Sequence, residues 1–398
     1  MLHFFIFGSH PRISLAELRA VKPNLQTPEL FGPTAIFDDP SWDDAFLNNK
    51  LGGLVKLGDI IKKVDLVDFN TKLVTEIITA GTKNKAVNFG LTVYASKDAN
   101  KKKFVDLGIK VKKEIKAMGL PARWVCGKEG TNIAPAAVAK LDMIERGTDI
   151  CLFIDSKTIS IGVTTQVQDA DAWSLRDFGR PARDSVSGML PPKLARIIVN
   201  LARVESGDTI IDPFCGCGTI LMEAALATDT DLIIGTDIDD KQIQYSKNNI
   251  SWLIKKKILT ANDQDKFLIK KADARTLQKT IDKKIDAVIT EGYLGPPLSG
   301  DETRETLKDN VLKISNLWRE TYEALLPILK PKARLVCIWP SFKTSHGTAR
   351  VDLSSDEKLL QRYKILNPLR GWDDSDDPLL YHRLGQRVMR RIVILEKK

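Results

Sequence analysis

The stretch that decides the fold is residues 212–219, with the sequence DPFCGCGT. A β-branched strand, DTIIDPF, leads into it, and an apolar helix, TILMEAALAT, follows it. Gly216 and Gly218 let the backbone turn tightly and approach a ligand without obstruction by a Cβ atom. A dinucleotide-binding loop would carry a third glycine at position 221, where this chain has Leu221. The stretch therefore predicts a strand-to-helix turn that binds a different ligand.

Acidic residues end three successive predicted strands. Asp212 would repel a pyrophosphate, but its charge suits the ammonium or sulfonium group of S-adenosylmethionine. Asp237, in the sequence GTDID, is placed to accept hydrogen bonds from both ribose hydroxyls, with Asp239 as the alternative. Asp273, in the sequence ADA, would accept the adenine amino group, and Ala274 leaves room for the ring. This order predicts an S-adenosylmethionine site; the alternative is that the aspartates only cap helices and turns.

The predicted cofactor-binding set combines the glycine turn with these strand ends: Asp212, Phe214, Gly216, Gly218, Thr219, Asp237, Ile238, Asp273 and Ala274. Five cysteines and four histidines are scattered along the chain. Their spacing fits neither a disulfide framework nor a structural zinc site, so no metal is expected.

Alternation of strand-like and helix-like segments predicts the architecture. From about residue 186 to 398 this alternation indicates a mostly parallel, doubly wound, Rossmann-like sheet. Residues 1–80 and 81–165 mix short strands and helices, which indicates two small α+β layers. Ser14 precedes Glu17 at the spacing of a capping box, so a helix is predicted to start near Ser14. Residues 166–185 are polar and predict a linker, whose Arg176, Arg180 and Arg183 are candidates for phosphate contacts.

Composition is that of a soluble globular protein of two or three domains, with 398 residues, 43% hydrophobic and 28% charged. No apolar run approaches the roughly 20 residues of a membrane span. The apolar start, LHFFIF, lacks the features of a signal peptide and predicts a buried strand, so a cytoplasmic location is expected. The net charge of +9 is consistent with binding a polyanion.

Several stretches together resemble the archaeal and eukaryotic tRNA guanine-N2 methyltransferases that act at position 10. The resemblance is most specific in residues 187–240, which include SGMLPPKLARIIVNLA, DPFCGCGTILMEAAL and GTDID. It extends to ADAR at 272–275, to FGSHPRISLAELRA near the start and to YHRLGQRVMRRIVI near the end. It implies a ferredoxin-like domain (1–80), a THUMP RNA-binding domain (81–165) that grips the tRNA acceptor stem, a linker, and a catalytic domain (186–398).

The chain departs from the family in the catalytic loop. Amino-methylating enzymes of this class carry Asp/Asn-Pro-Pro-Tyr after the fourth strand, whereas residues 290–297 here read TEGYLGPP. Glu291 would accept hydrogen bonds from an exocyclic amine, and Tyr293 would stack on an extruded base. The extra methylene of Glu291 moves the acceptor, and Gly292 lacks the rigidity of proline. Glu291 and Tyr293 are the predicted catalytic residues.

Three functions stay open at this point. The leading prediction is methyl transfer to the exocyclic N2 amine of a guanosine in tRNA. The second is methylation of adenine N6 or of another nucleic-acid amine, and the third is an RNA-binding homologue without catalysis. The sequence does not decide whether the chain acts alone or with a small activating protein subunit.

Overall fold

The computed structural model describes residues 1–39, 50–80, 86–96, 99, 104–127, 132–184, 189–373 and 379–398. These residues belong to two units, one of Met1–Pro11, Asn24–Asn49 and Gly53–Asp171, the other of Arg12–Pro23, Lys50–Gly52 and Ala172–Lys398. Two of the three predicted boundaries, 80/81 and 185/186, fall at stretches outside the described residues, and the third, 165/166, falls within a strand that spans Thr158–Val167. Within the described ranges, no helix combines the length and the apolar character needed to cross a bilayer.

The described residues form helices and strands in the following order. The first are β1 (Leu2–Phe7), α1 (Pro11–Val21), β2 (Glu29–Leu30), β3 (Thr34–Asp38), β4 (Leu54–Asp65), α2 (Thr71–Ala80), β5 (Val87–Ala95), α3 (Leu107–Ala117), β6 (Ala122–Val125), α4 (Pro135–Lys140), β7 (Thr148–Ile154) and β8 (Thr158–Val167). Next come α5 (Ala170–Phe178), α6 (Pro192–Leu201), β9 (Thr209–Asp212), α7 (Thr219–Ala227), β10 (Leu232–Asp237), α8 (Asp240–Lys255), a 3-10 helix (Ala261–Lys266), β11 (Phe267–Lys271) and a second 3-10 helix (Ala274–Lys279). The last are β12 (Ile285–Thr290), α9 (Arg304–Leu325), β13 (Leu329–Thr344), β14 (Gly347–Arg350), α10 (Glu357–Arg362), β15 (Tyr363–Leu366), β16 (Leu379–Tyr381) and β17 (Val388–Lys397).

The first unit contains an eight-stranded sheet in the order β2-β3-β1-β4-β8-β7-β5-β6. Helices α2 and α3 bury their apolar stripes, including Val74, Ile78, Val111 and Ile115, among the side chains of β5 and β7. Because β4 pairs with β8, strands of the predicted ferredoxin-like and THUMP domains form one continuous sheet. The division of this unit into those two domains stays a prediction.

The second unit contains a nine-stranded sheet whose main path is β11-β10-β9-β12-β13-β17-β15. Strands β9 to β13 run parallel, and β17 runs antiparallel beside β13. Residues such as Ile211, Ile234 and Val288 are almost fully buried, as expected for central strands covered on both faces. Strand order reverses between β9 and β12, and ligands of such sheets bind at this point. The predicted Rossmann-like α/β fold is confirmed.

Helix α1 differs from its prediction and belongs largely to the second unit. It begins at Pro11, three residues before the predicted start at Ser14, because proline favours the first helical position. Glu17 is fully buried and does not form the expected capping box. Its Oε1 accepts hydrogen bonds from Gly52 N (2.8 Å) and from Asn200 Nδ2 (2.7 Å) of α6. Tertiary contacts have therefore displaced the local capping pattern.

The predicted linker contains a helix, α5, and two of its arginines lie in the interior of the second unit. Arg176 Nε donates to Glu223 Oε1 (2.7 Å), and Arg180 Nη1 donates to Thr219 Oγ1 (2.5 Å). Their residues are 8% and 2% exposed, so neither is available as the predicted candidate for phosphate contacts. The third, Arg183, lies 5.5 Å from the ring of Phe178. Composition alone did not predict this helix, because Trp173 is its only buried apolar side chain.

Candidate functional site

A cavity of about 840 Å³ lies at the carboxyl ends of the parallel strands of the second unit. Ten of the eleven predicted site residues line it: Asp212, Phe214, Gly216, Thr219, Asp237, Ile238, Asp273, Ala274, Glu291 and Tyr293. Gly218, the remaining one, is the N-cap of α7 and lies against Ser246. The structure thus brings the glycine turn, the strand ends and the predicted catalytic loop to one site, at the point where strand order reverses.

The glycine turn is held in place by its neighbours. Gly216 and Gly218 adopt left-handed φ values of +50° and +80°. A Cβ atom on Gly218 would lie 2.8 Å from Ser246 Oγ of α8, so position 218 needs glycine for both space and backbone geometry. Ser246 Oγ donates to Gly216 O (2.7 Å), and Gly216 N donates to Asp237 Oδ2 (3.0 Å). The turn is therefore fixed against β10 and α8.

Asp212 ends β9 at the floor of the cavity and is 2% exposed. Its Oδ1 accepts a hydrogen bond from Phe214 N (3.1 Å), whereas Oδ2 has no partner among the described residues. Burial raises the pKa of Asp212 to about 7. The side chain of Thr290 and the N–H of Phe214 oppose this rise. A buried carboxylate oxygen without a partner is a position where a bound cation or donor is stabilised.

The other aspartates also cap turns and helices, as the alternative explanation of the sequence pattern proposed. Asp237 Oδ1 accepts from Asp239 N (3.0 Å), and Asp239 caps α8 by accepting from Lys241 N (2.9 Å). Asp273 accepts from Arg275 N (2.9 Å) and pairs with its guanidinium (2.6 Å), which lowers the pKa of Asp273. Capping and cavity lining coexist here, because a capping aspartate at a strand end still faces the cavity.

The predicted catalytic loop after β12 has two features that the sequence did not reveal. Arg390 Nε of β17 donates to Glu291 Oε1 (2.5 Å), and both side chains are mostly buried. Gly292 has a φ of +46°, and a Cβ atom there would lie 2.3 Å from Cζ2 of Trp318 in α9. Tyr293 is 50% exposed at the cavity edge, so its ring is accessible for stacking.

Sequence reasoning missed Arg390 and Trp318, and it also missed the pair of Gln242 and Asp184 at the cavity wall (Nε2 to Oδ2, 2.7 Å). A weak signal for Arg390 exists. Two adjacent arginines in the apolar strand VMRRIVIL must point to opposite faces, so one of them is directed inward. No comparable signal marks Trp318, because an aromatic residue on a long helix is usual in a core.

Comparison with known proteins agrees with this geometry. Residues 180–344 match the family model described as an RMKL-like methyltransferase domain. The tRNA (guanine(10)-N2)-dimethyltransferase of Methanocaldococcus jannaschii is 27% identical over 317 residues, which cover 74% of this chain and 82% of that protein. A Methanothermococcus thermolithotrophicus protein named "Probable tRNA (guanine(10)-N2)-dimethyltransferase" is 32% identical over 125 residues, which cover 31% of this chain and 69% of that protein. The fold is shared with the crystal structure of TrmN from Thermus thermophilus, at a TM-score of 0.55 and 17% identity. The superposition covers 100% of this chain and 99% of that chain.

The fold, the cavity and these matches define the chain as an S-adenosylmethionine-dependent methyltransferase with a Rossmann-like domain. Within that class, the chain belongs to the tRNA guanine-N2 methyltransferase family. The resemblance seen in the sequence is thereby confirmed. The THUMP assignment and the roles of individual site residues stay predictions.

The cavity residues fit S-adenosylmethionine. The oxygen of Asp212 without a partner suits the cationic end of the cofactor, and the glycine turn leaves backbone space beside it. Asp237 lies at the end of the second strand, the usual position for a carboxylate that binds ribose hydroxyls. Half-buried Phe214, whose ring lies 5.8 Å from that of Trp318, adds an apolar wall.

Affinity for S-adenosylmethionine is expected to fall as the pH drops through about 7, because Asp212 takes up a proton there and loses its charge. The sign follows from the raised pKa of this carboxyl: a cationic ligand binds the ionised form, which predominates only above that value. Calorimetric titration over roughly two pH units on either side measures the effect. Asp212→Asn should bind S-adenosylmethionine weakly, with an affinity that does not change with pH. If the variant keeps the pH dependence of the wild type, another group is responsible for it.

Proposed function

We propose that the chain transfers methyl groups from S-adenosylmethionine to the exocyclic N2 amine of a guanosine in tRNA. The observation that carries this proposal is the position of Glu291 and Tyr293 on the wall of the cavity that contains the predicted cofactor residues. Relatives named as tRNA guanine-N2 methyltransferases support the choice of substrate.

In the proposed site, Asp212, Gly216 and Asp237 hold the cofactor, with Asp273 and Ala274 at the adenine. Bound S-adenosylmethionine supplies a methyl group on a sulfonium, which is a good leaving group. Glu291 accepts a hydrogen bond from the amine and directs its nitrogen lone pair, and Tyr293 stacks on the extruded base. The amine that takes up the methyl group would lose one proton, which Glu291 would accept and pass on to solvent.

An ionised Glu291 favours guanine over adenine. Guanine presents two neighbouring donors, N1–H and the N2 amine, and the two lone pairs of one carboxylate oxygen can accept from both. Adenine presents its N6 amine beside the lone pair of N1, which would face the negative charge and leave an unfavourable contact. This difference supports N2 of guanine over N6 of adenine as the target.

For the first unit, the proposal is RNA binding by a THUMP-containing module. Lys110, Lys113 and Lys116 are exposed on α3, where they can contact phosphates. The net charge of +9 agrees with a polyanionic partner. With tRNA as the substrate, we place the activity in the cytoplasm.

The test is transfer of labelled methyl from S-adenosylmethionine to unmodified tRNA, followed by mass spectrometry of the nucleosides. N2-methylguanosine is expected, and Glu291→Ala should lower kcat/KM by about 10²–10³-fold because the amine loses its acceptor. Glu305→Ala, at an exposed glutamate in the first turn of α9, is the matched control and should behave as wild type.

Other outcomes separate the remaining functions. Label on N6-methyladenosine would keep the reaction class and change the base. Binding of both cofactor and tRNA without transfer would indicate an RNA-binding homologue or a missing activating subunit, and would contradict the proposal for the isolated chain.

A further inference from the structure

The carboxylate of Glu291 is held from a strand on the far side of β13. Glu291 directly follows β12, and Arg390 lies in β17, which pairs with β13 so that Pro340 is opposite Arg390. The guanidinium reaches Oε1 of Glu291 with its Nε at 2.5 Å. The second oxygen, Oε2, receives no hydrogen bond from the described residues, and Glu291 lines the cavity.

We infer that Arg390 is a positioning residue for methyl transfer: it binds Oε1 of Glu291 and fixes the orientation of the carboxylate, so that Oε2 accepts the hydrogen bond from the target amine. This inference rests on the proposed function. In the family pattern, the shorter aspartate side chain and the rigid prolines of Asp-Pro-Pro-Tyr hold the acceptor in place. In this chain, Arg390 would hold it.

Two properties of the loop make such a partner necessary. Glutamate has one more rotatable bond than aspartate, and the following glycine does not restrict the backbone as proline does. A single charge-assisted hydrogen bond at Oε1 removes this freedom, because the carboxylate can then rotate only at the cost of the pair. The geometry left for Oε2 is correspondingly narrow, and misplacement by about 1 Å costs on the order of 100-fold in rate.

The charge of Glu291 also depends on Arg390. Burial raises the pKa of Glu291, and the ion pair with Arg390 opposes that rise. A protonated Glu291 would donate through one oxygen and lose its preference for the amine. Among the other charged or titratable side chains that line the cavity are Asp212, Asp237, Asp239, Tyr293, Arg387 and Arg390. Asp212 and Glu291 repel each other, since the charge of Glu291 contributes to the raised pKa of Asp212.

The experiment compares Arg390→Gln and Arg390→Lys with Arg391→Gln in the full chain. Arg391 is a matched control because it is the next residue of β17 and is itself paired, with Asp352 at 2.8 Å. At neutral pH, Arg390→Gln should lower kcat by about 10–100-fold with little change in KM for tRNA. The acid limb of its pH–rate profile should move to higher pH, so that activity recovers as the pH is raised. Arg390→Lys should restore part of the rate, and Arg391→Gln should match wild type.

Two further measurements separate positioning from a merely structural role. In a Glu291→Gln background, adding Arg390→Gln should cost little more, because both changes remove the same interaction. Infrared difference spectra, with the Glu291 band assigned by Glu291→Gln, should show that Glu291 titrates at higher pH in Arg390→Gln than in wild type. Full additivity, an unshifted Glu291 titration, or an equal loss of rate at every pH would overturn the inference.

Failure of the inference is distinguishable from failure of the proposed function. Wild-type protein that forms no N2-methylguanosine would contradict the proposed function, whereas the infrared titration tests the link between Arg390 and Glu291 without turnover. Wild-type activity together with an unaffected Arg390→Gln would contradict the inference alone. Thermal unfolding of each variant identifies any that fails to fold, and Arg390→Lys, which keeps the charge, serves in place of Arg390→Gln in that case.

Discussion

Replacement of Gly292 by proline is expected to abolish methyl transfer, although it brings the loop closer to the family pattern. Proline fixes φ near −65°, whereas Gly292 has a φ of +46°. Any Cβ atom at this position would also lie 2.3 Å from Trp318, which is 1% exposed and stacked on Tyr322 at 5.3 Å. The loop therefore cannot keep its course, and Glu291 and Tyr293 are displaced together.

Gly292→Ala should show the same conflict in milder form. The left-handed backbone costs about 1–2 kcal/mol and overpacking against Trp318 about 1–3 kcal/mol in the free energy of unfolding. Urea denaturation measures stability, and the methyl-transfer assay measures activity. Gly347→Ala is the matched control: its φ of +125° carries backbone strain, but a Cβ atom there would meet nothing within 4 Å. Wild-type activity of Gly292→Pro would show that the loop conformation described here is not the active one.

Replacement of Glu223 by alanine is expected to produce a large loss of stability. Glu223 of α7 is fully buried, accepts a hydrogen bond from Arg176 Nε (2.7 Å) and forms an ion pair with Arg196, whose Nη2 lies 2.8 Å from Oε2. Both guanidiniums lie over the ring of Trp173, at 4.2 and 5.5 Å. Removal of the carboxylate leaves two buried positive charges facing each other, and breaking a buried pair in this way costs about 3–5 kcal/mol.

Urea unfolding of Glu223→Ala beside Glu320→Ala measures this effect. Glu320 is 56% exposed in α9, and its distance of 3.9 Å to Arg275 makes it a weak surface pair. Its loss should cost less than about 1 kcal/mol. Equal unfolding midpoints for the two variants would mean that the arginines find other partners or solvent when Glu223 is absent.

Much of the second unit could be predicted because its signals are local. Asp212 and Asp237 end β9 and β10, Asp273 lies two residues after β11, and parallel strands bring their carboxyl ends to one edge. The contacts that hold these groups are not local. Glu291 and Arg390 are 99 residues apart in sequence, and Glu17 meets Asn200 over 183 residues. No periodicity or spacing encodes such pairs, since the arrangement of the sheet decides them.

The same distinction explains the two corrections in the front part of the chain. Ser14 and Glu17 have the spacing of a capping box, but burial of Glu17 against α6 outweighs the local pattern. Residues 166–185 are polar on average, yet a single anchor, Trp173, and a paired Arg176 suffice to dock a helix there. Polar composition indicates a linker only when its charges have no buried partners.

Helix α1 has a consequence for how the protein is made. Arg19 Nη1 donates to the carbonyl oxygens of Pro368 (3.2 Å) and Arg370 (2.5 Å), and its guanidinium lies 4.9 Å from the ring of Trp372. The partners of this helix are synthesised about 350 residues after it, which is roughly 20–70 s later at ordinary rates of synthesis. The contacts of Arg19 cannot form until residues 368–372 have left the ribosome. Slow synthesis of the stretch between α1 and these residues, or a chaperone that binds α1, should therefore lower the yield of the folded second unit more than that of the first.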